Sequence, residues 1–247
     1  MYLKVVPELE QMYRDVGLEV KFGADAYEIP TSDYYVLLED LKPQGFRNAD
    51  RLQGLDQAHT ESALRKFAQW HAASAVRVDT KGPYEEKYTR GFFKSQPVLS
   101  SICNGSMKSL LKYIELYEGH ETYLNDLDLY YFLLSSPSLA IKTSKFDYFV
   151  WFYHSELVKH LQLLSYSKPL PTLKSILHDL SKYTGWGFIS TIWILGYVLM
   201  DPTNYTGFDA LFSDEESSFK KSMFTNPRYR KHAEVLLPWL QYRGALE

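Results

Sequence analysis

Residues 34–76, YYVLLEDLKPQGFRNADRLQGLDQAHTESALRKFAQWHAASAV, decide the fold. Tyr34 to Leu38 are strand-favouring or apolar, with Pro30, Thr31, Ser32 and Asp33 before them and the turn residues Lys42 to Gly45 after. That pattern predicts a short buried strand. The strand runs into an exposed acidic connector, Glu39-Asp40-Leu41, and then a polar link. A long helix follows, with Asp56 as its expected N-cap. Leu64, Phe67, Ala68, His71, Ala72 and Ala75 recur on one stripe at helical spacing.

Strand, acidic connector, link and helix, in that order, is how protein-kinase-like folds pass from a small lobe to a large one. The wording is more specific than the order. VLLEDLKPQGFRNADR (36–51) and FAQWHAASAV (67–76) closely resemble the ecdysteroid-kinase-like, or CHK kinase-like, family of insects. DLYYFLLSSPSL (128–139), FTNPRYRKHAEVLLPWL (224–240) and Arg243-Gly244 resemble the same family in the same order. The resemblance implies an ATP- and magnesium-dependent phosphotransferase, related to choline and aminoglycoside kinases, that acts on small hydroxyl compounds such as ecdysteroids. It implies an α+β, mostly α, protein-kinase-like fold. Residues 1–41 are then the remnant of a small lobe with its hinge, and residues 42–247 a helical large lobe. It also implies a nucleotide-binding role for the backbone of Glu39, Asp40 and Leu41, and motif positions for His71 and Asp128.

Phosphoryl transfer needs a cover for the phosphates, a lysine on them, magnesium ligands and an aspartate at the acceptor hydroxyl. In the resembled family, the cover, the lysine and its glutamate partner lie upstream of the position matched by Tyr2, so the chain reads as truncated there. The family's His-Gly-Asp loop and its metal-binding aspartate belong between a helix ending at Gly119 and the helix that begins DLYYFLL. Here that interval is only His120-Glu121-Thr122-Tyr123-Leu124-Asn125-Asp126-Leu127, with no strand-like alternation. The expectation is an internal deletion near 120–127, no catalytic residue, and no cofactor for this chain. Gly119-His120-Glu121 reads as a helix end and link. With the loop gone, Asp128 is left with helix capping, and Tyr130, Tyr131, Phe132 and Leu133 should lose part of their burial.

Composition narrows the partners. The net charge is −3, which gives no electrostatic footprint for nucleic acid or an anionic membrane. Aromatic residues make up 16% of the chain, suited to core filling or to a small apolar hydroxylated ligand. The single cysteine, Cys103, excludes an internal disulfide and fits a reducing, cytoplasmic setting. The N-terminus is mixed in charge and unlike a signal peptide. The glycosylation patterns at Asn104 and Asn204 carry no weight without secretion. Trp186 to Met200 is apolar but shorter than the roughly 20 residues a spanning helix needs, so it reads as a buried helix.

Along the rest of the chain the pattern predicts a first helix on Leu3, Val6, Leu9, Met12 and Tyr13, ended by Gly17. A short strand at Val20 to Phe22 is expected, with Ala26 to Ile29 as its partner. Further helices are expected at 106–118, 126–134, 144–164, 172–183, 187–200, 214–224 and 227–242. Glu156 and His160 lie four apart on one helical face and read as a solvated pair rather than metal ligands.

Overall fold

The computed structural model describes residues 1–31, 35–89, 120–201 and 218–245. The expected helix at 106–118, Cys103, Gly119 and both glycosylation patterns lie outside them. The chain divides into two compact units whose sequence segments alternate. One is built from 1–49, 61–89 and 151–172, the other from 50–60, 90–150 and 173–247. The expected small-lobe remnant therefore shares its unit with parts of the expected large lobe.

The first unit opens with α1, Val5–Asp15, which buries Val5, Val6, Leu9 and Tyr13. No side chain caps its start; the Met1 carbonyl accepts the Val5 N–H at 2.9 Å instead. Its end is a Schellman turn. The N–H of Leu18 reaches the Tyr13 carbonyl and that of Gly17 the Arg14 carbonyl, both at 3.0 Å. Gly17 takes φ +77° there, a conformation glycine adopts without a Cβ penalty.

The sheet differs from expectation. Residues 18–22 form no strand; β1, Ala26–Tyr27, pairs antiparallel with β2, Leu37–Leu38, in the register Ala26↔Leu38 and Tyr27↔Leu37. Of the expected buried strand Tyr34 to Leu38, Tyr34 lies outside the described residues, and among the rest only Leu37 and Leu38 are strand, both exposed, at 43% and 37%. An apolar run records strand preference but not whether a covering layer exists, and a two-stranded ribbon has few neighbours to bury it.

The long helix α2, Gln57–Lys81, forms as predicted and runs five residues past Val76. Asp56 Oδ1 accepts the His59 N–H at 2.9 Å, which satisfies one of the free donors of the first turn. Within the first unit, α2 buries Leu64, Ala68, His71, Ala72 and Val76. Tyr153, Leu157 and Leu161 from α6, Phe146–Leu163, join that unit's core. The Tyr13 hydroxyl donates to the Gln69 carbonyl at 2.8 Å and fixes α1 on α2. A short helix α3, Glu86–Thr89, ends this stretch.

In the second unit α4 covers His120–Ser135, followed by α5, Leu139–Lys142. Next come α7, Leu173–Lys182, and α8, Thr184–Ile189, which leads into a π-helical segment, Ser190–Ile194, and α9, Leu195–Val198. The described part closes with α10, Ser218–Thr225, and α11, Pro227–Tyr242. The apolar segment Trp186 to Met200 is core: Trp186, Leu195, Leu199 and Met200 are buried. Among the described residues, no helix is long and apolar enough to cross a membrane.

Gly187 allows α8 to lie close to its neighbours, since a Cβ there would stand 3.0–3.1 Å from Leu240, Leu134 and Tyr130. The link before α2 is stitched into the same unit. Leu55 exchanges backbone bonds with Ser136 and Ser138, both 2.9 Å, and Arg51 donates through Nη2 to the Met200 carbonyl at 2.7 Å.

Candidate functional site

Glu39, Asp40 and Leu41 follow β2 in the first unit. Glu39 is tied back to the preceding strand region. Its N–H donates to the Asp25 carbonyl at 2.8 Å, and its carboxylate accepts from the Gln44 amide. Asp40 closes a small turn by accepting the Lys42 N–H at 2.9 Å, as aspartate does where a chain must reverse. The Leu41 carbonyl accepts the N–H groups of Gln44 and Phe46, at 3.1 and 3.3 Å. An amide donor and a carbonyl acceptor of the connector are therefore already engaged within the chain.

Beside this connector a cleft of about 200 Å³ is lined by Tyr2, Leu3, Val6, Glu10, Gly23 and Asp25, among others. That is below the roughly 300–1,000 Å³ of a typical small-molecule pocket. Glu10 is held by the Phe22 N–H at 2.8 Å.

His71 is a packed core histidine, as its place on the apolar stripe predicts. It is 7% exposed, and Nδ1 lies 2.7 Å from the Tyr153 hydroxyl. Burial lowers its pKa to about 4, so the ring is neutral at neutral pH.

His160 departs from expectation. It is 2% exposed rather than solvated, with Nε2 3.7 Å from Glu156 and its ring edge-on to Tyr13 at 5.5 Å. Neither ring nitrogen has a hydrogen-bond partner. Glu156 itself accepts from Arg65 Nε at 3.1 Å. An i, i+4 spacing of two polar residues does not say which way the helix face points, and His160 shares its face with the buried Leu157, Leu161 and Leu164. Among the described residues no three His, Cys, Asp or Glu side chains gather as a metal cluster.

The seam between the two expected helices is the most informative part of the site. His120 to Asn125, read from the sequence as a link, is helical, and α4 passes without interruption from His120 to Ser135. The interval contains neither glycine nor proline, so nothing in it stops a helix. Asp128 consequently lies in the helix interior and not at an N-cap; desolvation raises its pKa. Tyr130, Phe132 and Leu133 are buried, against the expectation that they lose cover, as is Leu129 beside them, while Tyr131 is exposed. Their cover comes from α7, α8 and the π segment, and the Tyr130 hydroxyl donates to the Leu180 carbonyl at 3.0 Å. None of the seven histidines in the chain is followed by Gly-Asp.

The profile of the ecdysteroid kinase-like family matches residues 1–127 and 125–166. The chain belongs to that family. The ecdysteroid kinase-like match comes in two segments that meet at 125–127, inside α4. Membership implies a kinase-like fold, and the described chain is mostly helical with one two-stranded sheet. Neither a curated protein nor a solved structure matches the chain.

Sequence reasoning missed several residues that organise the second unit. Lys142 is 1% exposed inside it, and Asn226 caps α11 by accepting the Arg228 N–H at 2.9 Å. Asn226, followed directly by a proline that opens the helix, carried a readable capping signal. Lys142 carried none, because burial of a lysine depends on long-range packing.

Proposed function

We propose that this ecdysteroid kinase-like chain does not transfer phosphate and acts as a non-catalytic member of its family. The observation that carries the reading is α4. It is an unbroken helix through the interval where the family pattern calls for a catalytic loop and a metal-binding strand. The two-segment family match meeting at 125–127 supports an internal deletion at that point. Without the loop aspartate and the metal ligands, the electrostatic stabilisation of a transferring phosphoryl group is lost. Each such contact is typically worth about 10²–10³ in rate, and the group acts as a unit. What remains for this chain is to hold a small apolar hydroxylated compound, or to regulate a partner, on the helical scaffold. Any residual adenine contact at Glu39 to Leu41 would compete with the internal bonds that already engage Glu39 N–H and the Leu41 carbonyl.

The test is ATP consumption by the purified chain with magnesium and a panel of steroid and choline-like acceptors. The expected result is no turnover above background. Turnover that disappears in His120→Ala/Glu121→Ala would overturn the reading, because the seam would then be doing chemistry.

A further inference from the structure

In the first unit an open strand edge lies beside the cleft against α1. The Glu39 N–H donates to the Asp25 carbonyl at 2.8 Å, which makes 25 and 39 a hydrogen-bonded pair of the antiparallel ribbon. Such pairs alternate with pairs whose N–H and C=O groups point out of the ribbon. Ala26, opposite Leu38, belongs to an outward pair, and no described residue takes its N–H or its C=O. Ala26 lines the cleft and Leu38 does not, so the free edge of β1 is the one beside the cavity. A two-stranded ribbon is marginal alone and gains from a third strand.

The cavity says what such a strand carries. Its volume of about 200 Å³ is small for a whole ligand but suits one long side chain. Leu3, Val6 and Ala26 give it apolar walls, and Tyr2 adds an aromatic ring. Glu10, another lining residue, is only 9% exposed. Its Oε1 accepts the Phe22 N–H at 2.8 Å, while its Oε2 meets Arg14 at 3.9 Å, beyond hydrogen-bond reach. Asp25 is a second carboxylate at the cleft, paired with Lys21, and no lysine or arginine lines the cavity. A negative cleft of this kind selects a cation. We propose that β1 and the cleft bind an extended peptide of a partner protein, which pairs with Ala26 as a third strand and sets a lysine or arginine against Glu10. Backbone pairing supplies affinity and the side-chain pocket supplies specificity. The surface lies wholly in the first unit, and its binding does not depend on whether the chain transfers phosphate.

The experiment uses the full chain and fluorescein-labelled seven-residue peptides of alternating threonine and valine, with lysine, norleucine or glutamate at the centre. Fluorescence anisotropy should show saturable binding of the lysine peptide, weakened about tenfold or more by norleucine and abolished by glutamate. Glu10→Gln, whose amide oxygen still accepts the Phe22 N–H, should erase the preference for lysine over norleucine. Ala26→Pro removes the outward N–H and leaves the bonds to β2 in place, as proline does at strand edges, and should weaken binding of the lysine peptide. N-methylation of the lysine peptide along one edge should do the same, a check that needs no variant to fold. Absence of binding, equal binding of the lysine and glutamate peptides, or binding indifferent to N-methylation would overturn the proposal. So would a dimer in light scattering that Ala26→Pro dissociates, because the edge would then belong to a second copy of this chain.

Discussion

Replacing Lys142 by methionine should stabilise the protein. Burial lowers the Lys142 pKa from 10.5 to about 7. Each unit of such a shift is worth about 1.36 kcal/mol. At pH 7 the unfolded chain carries a fully protonated lysine, while in the folded chain the group is about half deprotonated. The linkage penalty is then roughly 4 kcal/mol. Methionine fills a similar unbranched volume without the proton problem, and the long bond to the Ser135 carbonyl offsets no more than about 1 kcal/mol.

A net gain of about 3 kcal/mol is therefore expected at pH 7, large beside a total stability of about 5–15 kcal/mol. The sign follows from the depressed pKa. The stability is intact above pH 10.5 and is lost as the pH falls toward 7, where the unfolded state binds the extra proton. The advantage of the methionine variant should be greatest at pH 7 and below, and should shrink steadily toward pH 10. Urea unfolding followed by circular dichroism, at several pH values, measures this directly. A variant less stable than the parent at pH 7, or an advantage that does not change with pH, would refute the reasoning.

Gly54→Ala should destabilise by about 2 kcal/mol or more, read as a drop in melting temperature. Gly54 holds φ +73°, and a Cβ there would come within 2.8 Å of the Ser138 nitrogen. Asn226→Ala removes the cap of α11 and should cost about 1 kcal/mol, whereas Asn226→Asp should retain most of the stability in the same melt. Tyr153→Phe takes the hydroxyl from the buried His71 Nδ1 and should cost about 1–3 kcal/mol in denaturant unfolding.

The helices were largely legible because their information is local. Pro227–Tyr242 follows from an apolar period opened by proline, and the start of α2 follows from Asp56. The family was legible in the wording around Glu39 and His71. What escaped depends on distant packing. Leu37 and Leu38 have strand chemistry, yet burial needs neighbours that their own sequence cannot supply. His160 and Lys142 are polar in text and buried in space. The seam was misread as a link because the family pattern suggested one, although His120 to Leu127 contains no residue that breaks a helix. The closure of α4 also explains why Tyr130, Phe132 and Leu133 stay covered: the unit supplies α7, α8 and the π segment at their surface.

The alternation of segments between the two units bears on how the protein can be dissected. Each unit is assembled from three separate stretches of chain, and of the five boundaries between them, those near Thr60 and Trp151 fall inside the helices α2 and α6. No single proteolytic cut can release either unit whole. A cut after Leu41 would yield a fragment lacking Gln69 of α2 and His160 of α6, which Tyr13 contacts. Complementation between two such fragments would have to rebuild the first unit from both at once, so recovery should depend on fragment concentration and never appear in either piece alone.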